Sequence, residues 1–548
     1  MHPLAAASYG VNLFPGIAMN PVNPTAAQAI NQPRPAIQSF LVAAEQMQQV
    51  EQRIFDAGMP VAALMEKVSG RIVQWFIAQY GSTTGKIGVL AGPGHNGGDA
   101  LVVARELHHA GYDVVVYQPF AKLKPLTEQQ AGYAKNLGIP FVKSIEDLAA
   151  CDAIIDGWFG FGLTRPIASE LAADIESLNQ QAIPVFSIDL PSGINTDTGR
   201  VMGTAIKASY TACLGLWKRG FMQEDAIAHL GNCNLIDFDI PLADITAVLG
   251  EFPTVQRLTD HKTISYLPLD RSPTAHKYKA GHLLLVAGSK QYAGAALLTG
   301  LGAIASGVGM LTLAVPESIR LALLSQLPGA LLVGCPETES GAIAHLDLDL
   351  SQYDAIALGP GLTPTVPALL TQVLAADCPL LLDADGLNLL AKNNPIQQLQ
   401  KRNAPTILTP HPGEFKRLFP DIHSENGLPG EIAAKAAQAS SATILLKGPR
   451  SAIAAGQNLW FNPHSTPALA RGGSGDVLTG LMSGLLASAA QSGQWKSDSE
   501  GLTPAVLGAV WWHSQAAIYA EGQRSRLGVD PLHLAQALNP ALQNAIAP

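Results

Sequence analysis

Charge, cysteine and aromatic side chains are all scarce in this sequence. Charged residues make up 14% of its 548 positions and aromatics 6%, against an ordinary charged share of about 25%. With 47% apolar residues, the chain must bury most of itself, which excludes disorder along its length. The net charge is −9, from 34 basic and 43 acidic residues, and no run of Lys or Arg exceeds two. An electrostatic footprint for nucleic acid or an anionic membrane is therefore missing, and neither partner is expected. Cys151, Cys213, Cys233, Cys335 and Cys378 are never closer than 20 residues. That spacing offers no disulfide framework and no CxxC metal or redox pair; it suits small buried hydrophobes in a reducing compartment. The first charged residue is Arg34, so no secretory signal is expected, and a cytoplasmic protein is. Residues 291–316 are uncharged, but five glycines interrupt them, which predicts a buried helix and strand rather than a membrane span.

The chain is too long for one core at roughly 100–200 residues per domain. Residues 1–35, with six prolines, predict an irregular arm. From KIGVLAG (86–92) short Val/Ile/Leu runs alternate with amphipathic stretches, through YDVVVYQ, DAIIDGWFG, IPVFSIDL, ASYTACLGL and NLIDFDIPL. This is the pattern of βαβ units and a parallel sheet. A second series starts at GHLLLVAGS (281–289) and runs through LTLAVPE, YDAIALGPGL, PLLLDADGLNLL, PTILTPHPGEF and ATILLKGPRSAIAA. Two α/β domains are expected, over 36–245 and 257–548, joined by a linker at 246–256. Ligand crevices in such sheets lie beyond the carboxyl ends of the strands, and these runs end in Gly, Pro, Asp or His.

In the first series GPGHNGGDA (92–100) follows a strand and opens a helix, a natural seat for phosphate. Gly92, Gly94 and Gly97 satisfy GxGxxG, but the next strand ends in Tyr117 and Gln118 with no acid for a ribose hydroxyl. A Gly-Lys-Ser/Thr phosphate loop is absent too. Asp156 and Asp189 end two further strands, where an unpartnered carboxylate is costly. With Asn96 and Ser192 they make an oxygen cage for a hard cation plus one spare carboxylate for acid/base work.

In the second series Gly472, Gly473 and Gly475 open a long apolar helix, an anion hole for a phosphoryl group in transit. Asp476 follows where a base could reach a substrate hydroxyl; the plainer account is a helix-capping acid. YAGAA (292–296), GPGL (359–362), TPHPGEF (409–415) and KGPRS (447–451) supply four more polar strand ends.

Taken together these strings resemble the NAD(P)H-hydrate repair enzymes. Residues 43 to about 245 resemble their epimerase domain, whose strings are GPGNNGGDG, DxxFGxGL and DIPSG. This sequence departs from them at His95, Ala100 and Leu190, and has Lys218-Arg219-Gly220 for a related KPG. The resemblance implies a Rossmann-like three-layer sandwich in which His95, Asn96, Gly97, Gly98 and Asp99, with Gly160, Phe161, Gly162, Leu163, Thr164, Arg165 and Pro166, hold the substrate. It implies K⁺ on Asn96, Asp156 and Ser192, and Asp189 as the acid/base that interconverts R and S hydrates at C6 of the nicotinamide ring. Residues from about 257 onward resemble the ribokinase-like dehydratase of the same repair system. That likeness implies Ala295, Gly361, His411 and Asp476 on the hydrate, and Lys447, Gly448, Pro449, Arg450, Ser451 and Gly475 on an adenine nucleotide. Asp476 is then also the base. ADP, or ATP, would be the co-substrate with Mg²⁺, the fused arrangement implying ADP. The substrates would be NADHX and NADPHX, and a homo-oligomer is expected. Two rivals remain at this level: a ribokinase-like vitamin kinase, and a first domain retained only as a binding scaffold.

Overall fold

Apolar runs without alternation form strands covered on both faces, and the computed structural model shows this in both halves of the chain. It describes residues 33–167, 169–363, 366–425, 427–491 and 501–547. The chain divides into two compact units between Val255 and Gln256. The expected arm at 1–35 lies outside the described residues except for its last three. There Arg34 pairs with Asp237 at 2.7 Å and donates to the Ile240 carbonyl, so the chain is anchored by residue 34.

The strands of the first unit are β1 (Leu41–Val42), β2 (Lys86–Ala91), β3 (Asp113–Tyr117), β4 (Phe141–Val142), β5 (Ala153–Gly157), β6 (Val185–Ile188), β7 (Tyr210–Leu214), β8 (Trp217–Lys218) and β9 (Asn232–Ile236). Seven form a parallel sheet in the order β4-β3-β2-β5-β6-β7-β9, while β1 and β8 pair separately. Leu90, Val115, Tyr117 and Ile154 pack with Ile175 and Leu178 of the helix Ser169–Asn179 on one face. The alternate residues Val89, Val114, Val116 and Ile155 point the other way and are equally buried, with helices Val61–Tyr80 and His95–His109 against that side of the sheet. Phe76 meets Phe186 of β6 edge-on at 4.8 Å. Three layers result. Because β3 and β5 flank β2 on opposite sides, the chain reverses direction there and opens a crevice at the carboxyl ends of β2 and β5. The stretch 246–256, expected as a linker, is helical up to Leu249 and already a strand from Val255. Only 250–254 connect.

The second sheet comprises β10 (Val255–Arg257), whose first residue closes the first unit, and β11 (His282–Val286), β12 (Met310–Pro316), β13 (Leu331–Cys335), β14 (Ala355–Leu358), β15 (Leu380–Leu382), β16 (Thr406–Leu408), β17 (Thr443–Leu446), β18 (Ala452–Ala455) and β19 (Asn458–Phe461) of the second. Their order is β10-β19-β18-β17-β16-β15-β14-β11-β12-β13. Pairs from β13 to β17 are parallel, and β18 turns back antiparallel on both neighbours. ATILLKGPRSAIAA is thus a hairpin and not one strand, because Gly448-Pro449 inside it reverses the chain. Residues 291–316 form the helix Ala293–Ala305 and then β12. Among the described residues no helix is long and apolar enough to cross a membrane.

Leu283, Leu285, Leu313, Ala357, Leu381 and Leu445 share one core with residues of the helices Ser474–Ala490, Thr503–Arg524 and Pro531–Ile546. Helix Pro429–Ser440 packs on β17 and β18. Again the order reverses at one strand: β12 and β14 flank β11, so the crevice lies beyond β11 and β14.

Candidate active sites

Register builds the first site. Asp156 of β5 lies beside Ser187 of β6, and the Ser187 hydroxyl donates to Asp156 Oδ2 at 2.8 Å. The Ser192 backbone N–H donates to the same oxygen at 2.9 Å, its hydroxyl to Oδ1 at 2.6 Å, and the Trp158 N–H to Oδ1 at 3.3 Å. Burial pushes the Asp156 carboxyl up and these four donors pull it back. Its role within the chain is to tie the loops after β5 and β6 together.

Asp189 follows β6 with φ 69°, a left-handed conformation that concentrates at functional sites. Its Oδ2 accepts the Phe161 N–H at 2.9 Å and its Oδ1 the Leu214 N–H at 3.3 Å. Oδ1 also takes the Lys218 ammonium, which in turn donates to the Leu214 carbonyl at 2.6 Å. Lys218 is wholly buried. Burial opposes its charge, but the Asp189 carboxylate outweighs that and holds the lysine above its ordinary range. No sequence pattern marks Lys218 as a site residue, although it opens the Lys218-Arg219-Gly220 string. Its backbone is placed by pairing with Val42 of β1, an ordering role for the short segment after the arm.

Asp189 and Lys218 border a cavity of about 850 Å³, whereas Asp156 and Ser192 lie buried behind its lining. His95, Asn96, Asp99 and Gly160 to Arg165 line it, with Lys124, Asp189 and Lys218. Pro166, Gly97 and Gly98 do not. Gly97 is instead needed for close approach: a methyl there would sit 1.9 Å from the Gly92 carbonyl oxygen. His95 to Gly97 form the first turn of the helix, whose N–H groups lack intrahelical acceptors and carry the positive end of its dipole. A methyl on Gly160 would sit 3.1 Å from both Asn96 Oδ1 and Asp189 Oδ2, so these two side chains flank one narrow point. The Asn96 amide nitrogen is buried with no partner. Burial and then Lys124 lower the affinity of His95 for a proton, which keeps the ring neutral at pH 7.

The second site gathers at β11, β14, β15, β16 and β17. Beyond β15, Asp383 is buried and accepts the Lys447 ammonium at 2.7 Å and the Thr479 hydroxyl at 2.6 Å. Burial would raise Asp383, yet Lys447 and its hydrogen bonds hold it below the usual carboxylate range. Lys447, which the resemblance puts on the nucleotide, thus also meets Asp383, and a methyl on Gly475 would lie 3.6 Å from its Nζ. Asp476 is one residue further along the same helix turn. Burial first, then Asp383, pushes it up to about 7, with Lys447 working against them. Asp383 stands in the DADGLNLL string, whose pattern alone marks no role for it.

The helix bearing Asp476 starts at Ser474 with Gly473 at φ 97°, a conformation that favours glycine. It crosses the helix Ala293–Ala305 closely enough that a methyl on Gly302 would strike the Val477 carbonyl at 2.2 Å. Small residues therefore bring the two helices together. Gly361 is adjacent to Ala295, whose Cβ would lie 2.8 Å from a methyl on it. His411 caps the helix Pro412–Leu418: its Nδ1 accepts the Gly413 N–H at 2.9 Å, and Glu414 accepts the His411 N–H at 2.9 Å. HPGE is thus a capping box. The ring is half-exposed, and its Nε2 edge lies 3.6 Å from Glu414 Oε1. Gly448 and Pro449 are exposed in the β17–β18 turn, which Ser451 closes by donating to the Gly448 carbonyl at 3.0 Å.

Residues 61–220 match the family model described as the YjeF-related protein N-terminus, and 283–540 the one described as NAD(P)H-hydrate dehydratase. The bifunctional NAD(P)H-hydrate repair enzyme Nnr of Synechocystis sp. is 53% identical over 511 residues, covering 93% of this chain and 96% of the relative. That of Thermosynechococcus vestitus is 50% identical, covering 94% and 99%. A solved structure of the ADP/ATP-dependent NAD(P)H-hydrate dehydratase from Bacillus subtilis, co-crystallised with ATP and Mg²⁺, is 34% identical with TM-score 0.44. It covers 53% of this chain and 98% of that one. With matches to both domains and relatives spanning nearly its whole length, the chain belongs to the bifunctional NAD(P)H-hydrate repair enzymes.

Proposed function

We propose that the first unit epimerises the R and S hydrates of NADH and NADPH, and that the second dehydrates the S epimer with ADP. The observation that carries this is the presence, in one chain, of two switch-point crevices, each with a carboxylate beside a buried carboxylate–lysine pair or within one: Asp189 with Lys218, and Asp476 beside Asp383 with Lys447.

In the dehydratase, Asp476 takes the proton of the C6 hydroxyl as its oxygen attacks the terminal phosphorus of ADP and AMP leaves. The first-turn N–H groups of Ser474 and Gly475 meet the charge of the moving phosphoryl group. Phosphate then leaves C6 with its bonding pair and C5 loses a proton, which restores the dihydropyridine. A hydroxyl is a poor leaving group and phosphate a good one, which explains the need for a nucleotide. Incubating the chain with mixed hydrate epimers, with and without ADP, and following dihydropyridine absorbance tests the whole proposal. A stable phosphorylated product with no dihydropyridine would favour a kinase instead.

K⁺ in the first unit fits the residues present. Asn96, Asp156 and Ser192 offer one carboxylate, one amide and one hydroxyl, a set with one formal charge that suits a large monovalent ion. Among the described residues no cluster of three or more His, Cys, Asp or Glu is suited to a metal. Asp156 already receives four donors, while the buried Asn96 amide is unpartnered and can turn its oxygen to an ion. Asn96, Asp156 and Ser192 would hold K⁺, which when bound supplies positive field beside the substrate. Exchanging K⁺ for tetramethylammonium is expected to slow epimerisation on the order of tenfold or more. An unchanged initial rate would remove K⁺ from the site.

His411→Ala is expected to weaken hydrate binding more than nucleotide binding, because the resemblance puts the HPGE loop on the substrate side and Lys447 to Ser451 on the nucleotide side. Loss of the cap should also cost about 1 kcal/mol of stability, so both ligands are titrated well below the unfolding temperature. Equal losses for both would show that the two sides are wrongly assigned.

A further inference from the structure

The helix Ala44–Asp56 buries Met47, Val50 and Ile54, and Glu51 falls on the same stripe, four residues after Met47 and three before Ile54. An apolar side chain would be the cheaper occupant. Instead Glu51 lines the cavity that Asp189 and Lys218 close from the sheet side. No hydrogen bond contributes to the state of its carboxyl, and a carboxylate left so in a half-buried wall is costly. The charged and titratable groups facing it are Lys218, Asp189, Lys124 and Asp99, with His95 and Arg165 on the same cavity lining. Burial raises Glu51 most; Lys218 lowers it, Asp189 raises it and Lys124 lowers it, leaving it at about 7. It can therefore give or take a proton near neutrality. Asp99 differs in being engaged by the Ser69 hydroxyl.

We propose that Glu51 is the second proton-carrying group of the epimerisation, working from the helix wall while Asp189 works from the strand ends. The proposal rests on the epimerase reading of this cavity. C6 bears both the hydroxyl and ring nitrogen N1. Glu51 gives its proton to the hydroxyl, the C6–O bond breaks, water departs, and the N1 lone pair forms the N1=C6 iminium. A water then bonds to C6 from the other face and gives its proton to Asp189. The hydrate is inverted with no atom gained or lost. The two carboxyls have exchanged protonation states, which solvent or the reverse reaction restores.

The test uses the full chain as parent, Glu51→Gln, Glu51→Asp and Asp99→Asn, measuring epimerisation from about pH 5.5 to 8.5. S-hydrate dehydration with ADP and thermal unfolding are followed on the same preparations. The parent should show a limb near pH 7 above which kcat/KM falls. Glu51→Gln should lose that limb and about 10²-fold in epimerisation, with dehydration unchanged and thermal stability equal or higher, since a half-buried carboxyl without a hydrogen-bond partner is removed. Glu51→Asp should recover the limb with part of the rate, which a merely structural role would not require. An unchanged rate and limb in Glu51→Gln, or loss of the limb in Asp99→Asn alone, would overturn the proposal. A parent without epimerisation above background would overturn the epimerase reading, and this proposal with it.

Discussion

Asp476→Asn is expected to lower dehydration of the S-hydrate about 10²–10⁴-fold, the usual worth of a positioned general base, while epimerisation keeps the parent rate. Asparagine preserves size and removes only the proton acceptor. The Asp383–Lys447 pair and the turn at Gly448–Ser451 are untouched, so nucleotide affinity should change little. The pH dependence gives a second reading of the same event. Burial and Asp383 push Asp476 up to about 7, and a base acts only when unprotonated. In the parent, kcat/KM for dehydration should therefore rise with pH through about 7 and level off above it, and in the variant that limb should vanish. A variant that dehydrates at the parent rate would reduce Asp476 to a helix-capping acid.

What sequence could show of these sites follows from how local their parts are. GPGHNGGDA and GGSGDVLTG are each contiguous, and each sits on a strand-to-helix or loop-to-helix turn, so their positions were legible at once. Lys218 pairs with a residue 29 positions earlier, and Lys447 with one 64 positions earlier. No periodicity marks such pairs; only the sheet order brings them together. Glu51 is harder still, since one acid in an amphipathic helix looks like solvent-facing charge until the cavity behind it is seen. The strands β1, β4 and β8 have two residues each, below the length at which any alternation can be read. The β17–β18 reversal differs. Its Gly-Pro turn signal was present, and the apolar residues on either side hid it. In the same way HPGE carried a cap in plain view, Pro at the first helical position and Glu three residues after His411.

Asp189→Asn should have the opposite effect to Asp476→Asn: epimerisation falls about 10²–10⁴-fold, and pure S-hydrate is still dehydrated with ADP. Independence is expected because the two carboxylates belong to separate compact units, and substitutions without shared partners add rather than couple. A complication arises from Lys218. Neutralising Asp189 leaves a wholly buried ammonium without its counter-charge, a loss on the order of 3–5 kcal/mol for a buried pair. The first unit should therefore melt at lower temperature, and lost epimerisation alone would not separate chemistry from unfolding. Asp189→Asn combined with Lys218→Met removes both charges and keeps an unbranched apolar stem in place. Stability should return toward the parent value, because uncharged replacements of a buried pair are often neutral, but epimerisation should not. Mixing Asp189→Asn with Asp476→Asn should again carry R-hydrate to the dihydropyridine, as S-hydrate formed by one chain diffuses to the other. If the charge-free double variant epimerised at the parent rate, Asp189 would be a structural partner of Lys218 and not the group that meets the substrate.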